Sequence, residues 1–384
     1  DIDQALLKRE LPDATLQLEA GQENLLARYL RYKKYGVNSV AMSFTSNATQ
    51  GLNGFMRIGK LQADGLVIDT IQATITHGEE GLELAAIVEN RKTENPNPFL
   101  ATLHGHLLRA GAAADIAFQD ANGRLGLRLG AQVEMEDGGT RLHLNADTAV
   151  VAYRNFSVNA DNYLFVSNDR RVRANIKLLA DDGTGLQIYS EGSDSLKNDI
   201  TLTINRLNLG ELANVLPYLP KVGGTLDGDF HIIEDQHNFA AVGAATAKNF
   251  SYEGTQIGTL GTELMYQPGE NGQHIANGYL TLDGKEVAEI GGTYDPKGKG
   301  YFDGSFNIRS LPLNVANAFL KETGFAMRGT AEGAFSVKGA LDAPVINGRL
   351  KLDEAHLYSN VYGIDFAVDS VPLELKNSLL ELKN

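Results

Sequence analysis

Apolar and polar residues alternate along most of the chain, in runs of six to ten positions broken by turn signals such as Asp137-Gly138-Gly139, Asp181-Asp182-Gly183, Asp283-Gly284 and Asp295-Pro296-Lys297-Gly298. A period of 2 places successive side chains on opposite faces of a strand, and short runs between Gly- and Asp-rich turns predict antiparallel β-structure. Clear cases are Leu142-x-Leu144-x-Ala146, Val172-x-Ala174-x-Ile176-x-Leu178 and Ile200-x-Leu202-x-Ile204. The spacing predicts about 20 to 25 strands.

Six runs have a glycine inside the alternation. They are Leu52-Gly54-Met56-Ile58, Leu226-Gly228-Phe230-Ile232, Ala276-Gly278-Leu280-Leu282, Phe302-Gly304-Phe306-Ile308, Ala331-Gly333-Phe335-Val337 and Ile346-Gly348-Leu350-Leu352. The glycine and the apolar residues of each run share one face, while Asn53, Arg57, Asp227, Asp229, Asn307, Glu332, Arg349 and Lys351 share the other. A glycine inside a strand marks a bend, a bulge or a close approach to the backbone.

Three segments change to spacings of three and four and predict short amphipathic helices: Gln22 to Tyr35, Gly210 to Leu219, and Leu313 to Thr323. Gly36 and Gly324 stand at the stop position of the first and third. The second and third belong to a repeat. Ile204-Asn205-Arg206-Leu207, a helix and Gly224-Thr225-Leu226-Asp227-Gly228 match Ile308-Arg309-Ser310-Leu311, a helix and Gly329-Thr330-Ala331-Glu332-Gly333, at an offset of 104 to 105 residues. The array divides into approximate units 1–76, 77–198, 199–302 and 303–384, the second a degenerate unit without a helix. The expected fold class is all-β: an elongated, curled antiparallel sheet with a few short helices between repeats.

Summed over its strands, the apolar face carries roughly 50 to 60 aliphatic and aromatic side chains, more than a soluble monomer leaves open to water. Two arrangements remain. Either the sheet folds onto itself as a dry sandwich, or it curls into a trough occupied by an apolar ligand. Repeated glycines remove packing material from a sandwich; in a trough they leave room for an acyl chain. The trough reading assigns its lining to Leu52, Met56, Ile58, Leu226, Phe230, Ile232, Leu280, Phe302, Phe306, Ile308, Phe335, Val337, Leu350 and Leu352, with Gly54, Gly228, Gly278, Gly304, Gly333 and Gly348 as its glycines. Leu212, Leu216, Phe319 and Leu320 are either plugs at the end of the sheet or lids along the trough.

The 34 Lys and Arg against 48 Asp and Glu give a net charge of −14, which disfavours nucleic acid and anionic lipid surfaces as partners. The absence of cysteine removes disulfides and thiolate chemistry. Asp1-Ile2-Asp3 carries no signal-peptide pattern, and the sequence reads as a segment of something longer.

The C-terminal stretch from Gly329-Thr330-Ala331-Glu332-Gly333-Ala334-Phe335 through Gly339-Ala340-Leu341-Asp342-Ala343-Pro344 to Asn347-Gly348-Arg349-Leu350-Lys351-Leu352, followed by Tyr362-Gly363-Ile364-Asp365-Phe366, resembles the TamB branch of the AsmA-like proteins. The resemblance is best over about 200–384. It implies a β-sheet curled into a hydrophobic groove that carries phospholipid acyl chains between inner and outer membrane without catalysis. It also implies a periplasmic location, an inner-membrane anchor outside this segment, and an outer-membrane barrel partner of the TamA type. The alternative is a dry-core structural or adhesive β-repeat protein supporting outer-membrane protein assembly.

Reactive chemistry has little support. His104 and His106 lie two apart on one strand face without a third ligand at readable spacing, so no metal site is expected. Asp227 and Asp229 fall on the polar face, where solubility explains them. Asp295-Pro296-Lys297-Gly298 is a hairpin turn within a segment that only superficially suggests a phosphate loop. A carbohydrate-cleaving enzyme is a further rival, weakened by the absence of Trp. No catalytic residue and no cofactor are assigned.

Overall fold

A computed structural model describes residues 8, 11–23, 28–29, 35–63, 66–78, 81–90, 98–108, 110–145, 149–192, 196–215, 220–235, 238–340, 342–368 and 372–381. They form an all-β protein of 26 strands that pair antiparallel within each unit. Among them no helix is long and apolar enough to cross a membrane. The chain divides into two compact units, one of residues 1–183 with 214–218 and one of 184–213 with 219–384.

The first unit begins as a meander. Strands β1 (Ala14–Gly21), β2 (Gly36–Asn47), β3 (Gly51–Ala63), β4 (Leu66–His77), β5 (Leu82–Asn90), β6 (Phe99–Leu108), β7 (Gly111–Asp120) and β8 (Leu125–Glu136) pair in chain order. Beyond β8 the next two layers are each made of two short strands laid end to end. Strands β9 (Gly139–Leu144) and β10 (Ala149–Val151) share one edge of β8; β11 (Arg154–Val158) and β12 (Tyr163–Ser167) pair with them and then with β13 (Val172–Leu179). A break between strands leaves backbone groups without ladder partners, and buried ones must find others. Asn162, 2% exposed, supplies them: its side chain accepts from the Leu144 N–H at 2.6 Å and donates to the carbonyls of Leu144 and Asn159, each at 2.9 Å.

The second unit continues as a meander of β14 (Gly185–Ser190), β15 (Asn198–Asn208), β16 (Val222–Glu234), β17 (Phe239–Tyr252), β18 (Thr255–Pro268), β19 (His274–Leu282), β20 (Lys285–Asp295), β21 (Tyr301–Pro312), β22 (Ala326–Gly339) and β23 (Val345–Ser359). Two short strands then lie end to end along β23, namely β24 (Ile364–Val368) and β25 (Leu373–Lys376), and β26 (Leu379–Glu381) pairs with β25.

Helix α1 (Leu209–Val215) follows β15, and a helical segment of 313–323, with helix α2 (Asn317–Leu320) between two 3₁₀ turns, follows β21. The expected helix over 313–323 thus forms with its predicted bounds, stopped by Gly324 in the left-handed region at φ 74°. The expected helix over 210–219 is described as far as Val215; Leu216 to Leu219, and most of the expected helix over 22–35, lie outside the described residues.

The repeat is visible in strand register. Strands β15 and β16 slip between Ile204 and Leu207, and β21 and β22 slip at the equivalent place, between Ile308 and Leu311. Further slips occur between Gly223 and Thr225, Ala247 and Phe250, Leu280 and Thr281, and Arg328 and Thr330. All fall toward the helix-bearing edge of the unit, so a row of bulges crosses the sheet there. A bulge bends its strand and increases the local twist, and a row of them bends neighbouring strands at one level. Dry packing gathers beside this row: Leu313, Ala331, Leu352 and Ala355 form a buried cluster against Met327 and Leu350. In the first unit the corresponding cluster is Phe99, Phe118 and Val215, the two rings stacked at 5.6 Å between centroids.

Candidate apolar binding face

Register determines which residues share a face, because directly paired residues point the same way. In the first unit the pairings align Val40, Ile58, Ile71, Val88, Ala101 and Phe118 in one row across six strands. A second row holds Met42, Met56, Ala73, Ala86, Leu103 and Ile116, and a third holds Phe44, Gly54, Ile75, Leu84, Gly105 and Ala114. In the second unit one row runs Leu202, Phe230, Gly243, Leu264, Gly278, Ile290, Phe306, Phe335 and Gly348. Another runs Ile204, Gly228, Ala245, Thr262, Leu280, Ala288, Ile308, Gly333 and Leu350. Each unit therefore carries a continuous apolar face several strands wide.

The residues expected to line a trough all lie on these faces. Leu52, Met56 and Ile58 belong to the first unit; Leu226, Phe230, Ile232, Leu280, Phe302, Phe306, Ile308, Phe335, Val337, Leu350 and Leu352 belong to the second. Thirteen of these fourteen are partly exposed, and only Leu352, at 2% exposure, is buried. A sandwich core closes its facing side chains off from water; among these fourteen only Leu352, beside the bulged edge of the second unit, is closed in this way, while in the first unit Phe156, Val158, Ala174, Ile176 and Leu178 of β11 and β13 are buried.

The glycine positions are less open than their sequence pattern suggests. A Cβ at Gly228 or Gly243 would strike the Phe230 ring, and one at Gly292 or Gly304 would strike the Phe302 ring. Each of these phenylalanines reaches over two glycines, one two positions away on its own strand and one on the neighbouring strand. Phe44 lies over Gly54 and Phe335 over Gly348 in the same way, Leu264 lies against Gly278, and the Arg349 carbonyl closes on Gly333. The space left by the missing side chains is thus taken up from within the face, by phenylalanine ring atoms that reach over the neighbouring glycines. The result is a low, smooth apolar floor.

Sequence alternation alone marks further members of the face that the glycine pattern passes over. Val40-x-Met42-x-Phe44, Ile71-x-Ala73-x-Ile75 and Leu84-x-Ala86-x-Val88 carry the signal without a glycine. The aromatic ladder near the other edge of the second unit is less legible. There Tyr266 contacts Phe239 edge-on at 5.7 Å and stacks on His274 at 5.8 Å, and His274 stacks on Tyr294 at 5.9 Å. These contacts depend on register across four strands.

The opposite face is polar. A depression of about 750 Å³ there is lined by Asp229, His231, Glu263, Tyr279, Glu289 and Asn307 among others. Its charges are largely engaged: the His231 ring contacts Asp199 at 2.6 Å, and Arg309 bridges Glu286 and Glu289. Asp227 serves the bulge of β15. It accepts from the Arg206 backbone N–H at 2.9 Å and pairs with Lys248 at 3.0 Å; that backbone hydrogen bond, foremost, holds its carboxyl below the usual range. His104 and His106 share the polar face with Glu83 and Asp115 around a smaller depression, and among the described residues no three His, Asp or Glu side chains are grouped to hold a metal ion.

His77 lies instead on the apolar face, one position beyond Thr76 and two beyond Ile75. It is 9% exposed, its Nδ1 accepts from the Leu52 N–H at 3.5 Å, and its Nε2 has no hydrogen-bond partner. Burial, then the nearby Lys8 charge, lowers its pKa. Comparison with known proteins adds no relative: no family model, no curated protein and no solved structure matches the chain.

Proposed function

We propose that each apolar face holds phospholipid acyl chains and lets them slide along it, in a non-catalytic carrier of the TamB-like kind. The observation that carries the reading is the partial exposure of thirteen of the fourteen lining residues on faces that extend unbroken across the strands. Apolar surface of that extent is stabilised by roughly 25 cal/mol for each Å² removed from water, and an acyl chain removes it without any change of fold. The floor of phenylalanine rings and small residues offers similar contacts from strand to strand, so the energy of a bound chain varies little with position. Selectivity for one acyl length is accordingly low.

Within this reading the protein acts in the periplasm, between an inner-membrane anchor and an outer-membrane barrel partner of the TamA type. Support for that placement comes from the sequence resemblance alone. The test of lipid carriage is native mass spectrometry with solvent extraction of protein purified without detergent. Co-purifying phospholipid is the expected result. A chain that neither retains phospholipid nor takes it up from vesicles refutes the proposal in favour of a structural β-repeat protein.

A further inference from the structure

Two turns on the helix-bearing edge of the second unit raise large apolar side chains into solvent, and a third, between β17 and β18, braces them. Phe319 of α2 is 73% exposed, and Val361 and Tyr362, between β23 and β24, are 76% and 61% exposed. The three turns are tied together. The Phe319 ring lies 5.4 Å from that of Tyr252 at the end of β17, and Lys321 donates to the Glu253 carbonyl at 3.1 Å. Phe325 contacts Tyr362 at 5.8 Å between centroids, and Ser359 Oγ donates to the Gly324 carbonyl at 2.6 Å. Val361 and Tyr362 also border Gly324. The side chains thus form one braced, projecting tip.

Its shape and charge discriminate among partners. A tip built from three turns offers neither a groove for a helix nor a free strand edge for a peptide. Phe and Tyr side chains on projecting turns, the latter with a polar hydroxyl, suit the boundary between acyl chains and headgroups. The net charge of −14 opposes approach to an anionic surface, leaving zwitterionic lipid as the better match. The tip is also continuous with the candidate site: the inner side of the 313–323 segment buries Leu313 and Ala318, and Leu313 packs in the cluster that includes Leu352 and Leu350 of the apolar face.

We infer that this tip inserts into the interfacial layer of a phospholipid bilayer and holds the end of the apolar face against the membrane. The inference rests on the lipid-carrying reading for its purpose and has an independent test. The chain has no Trp, so Phe319→Trp introduces a single reporter. Its emission is expected to shift to the blue on addition of phosphatidylcholine vesicles and to be insensitive to salt, with a weaker response to phosphatidylglycerol vesicles at low salt. In flotation with phosphatidylcholine vesicles, Phe319→Ser, Val361→Ser and Tyr362→Ser are each expected to weaken binding by roughly tenfold. Val242→Ser, which changes a 43% exposed apolar side chain on the opposite, polar face, leaves flotation unchanged.

An emission spectrum unmoved by phosphatidylcholine vesicles, or one that shifts with protein concentration alone, overturns the inference; the latter assigns the tip to a second copy of the chain. Undiminished flotation of the three serine variants also overturns it. Wild-type protein that floats but carries no lipid upholds membrane docking and refutes lipid carriage.

Discussion

Leu352 and Phe306 lie on the same face of the second unit and differ in what covers them, which makes a paired substitution informative. Leu352 is 2% exposed and packed among Leu313, Ala331 and Ala355; Phe306 is partly exposed, in the row beside Phe335 and Gly348. Leu352→Asp removes a buried aliphatic group, at about 2–5 kcal/mol, and adds a carboxyl with no partner, for a total near 5 kcal/mol or more. In a unit of roughly 200 residues each kcal/mol lowers Tm by about 2–4 °C, so the expected fall is about 10–20 °C. Phe306→Asp gives up only part of a transfer energy of about 1.5–3 kcal/mol, and its carboxylate keeps water on the open side, so the fall is about 2–8 °C.

Tm is read by calorimetry on lipid-stripped protein, and retained phospholipid by native mass spectrometry. The trough reading expects Phe306→Asp to fold and lose lipid. Equal losses of stability at the two positions refute the reasoning, because they mean that Phe306 is as closed to water as Leu352.

Gly243→Ala is expected to cost about 1–3 kcal/mol through overlap with the Phe230 ring, and because only ring atoms stand in the way, Phe230→Ala in the same chain recovers much of it in a double-mutant cycle by urea unfolding. Asn162→Leu leaves the backbone of Leu144 and Asn159 without buried partners and should destabilise the first unit by about 2–4 kcal/mol, read as a lower urea midpoint. Stability should also fall on acidification through His77. With its folded pKa below the unfolded value, the unfolded chain takes up the proton first, so the contribution present above about pH 6.5 is lost as pH falls through the folded pKa, and His77→Gln flattens that part of the profile of unfolding free energy against pH.

Periodicity is a local property: alternation made the strands and the two faces legible residue by residue, and the change to spacings of three and four did the same for the 313–323 helix. Register is not local. The row of bulges near the helices depends on where Ile204 meets Gly228 and where Ile308 meets Gly333, and only the 104-residue match hinted that the two places are equivalent. The two-strand layers stitched by Asn162 were illegible for the same reason: their hydrogen bonds join positions 18 residues apart, and asparagine in a turn has many ordinary uses.

The glycines show where a local pattern misleads. Read along one strand, Gly228 or Gly304 is a missing side chain and therefore a gap. In the structure each is the seat of a phenylalanine two positions away on its own strand, and Phe230 needs Gly243 on β17 as much as it needs Gly228. Glycine and phenylalanine are thus one device, which keeps a twisted sheet apolar while lowering the relief of its surface. Relief decides between a core and a track. Side chains that stand up interlock with an opposing sheet and fix it in one position, whereas a flat floor gives an acyl chain nearly the same contact area at each step. The energy differences between neighbouring positions then stay small relative to the total area covered, and that is the physical condition for lipid to be held tightly as a whole and still move.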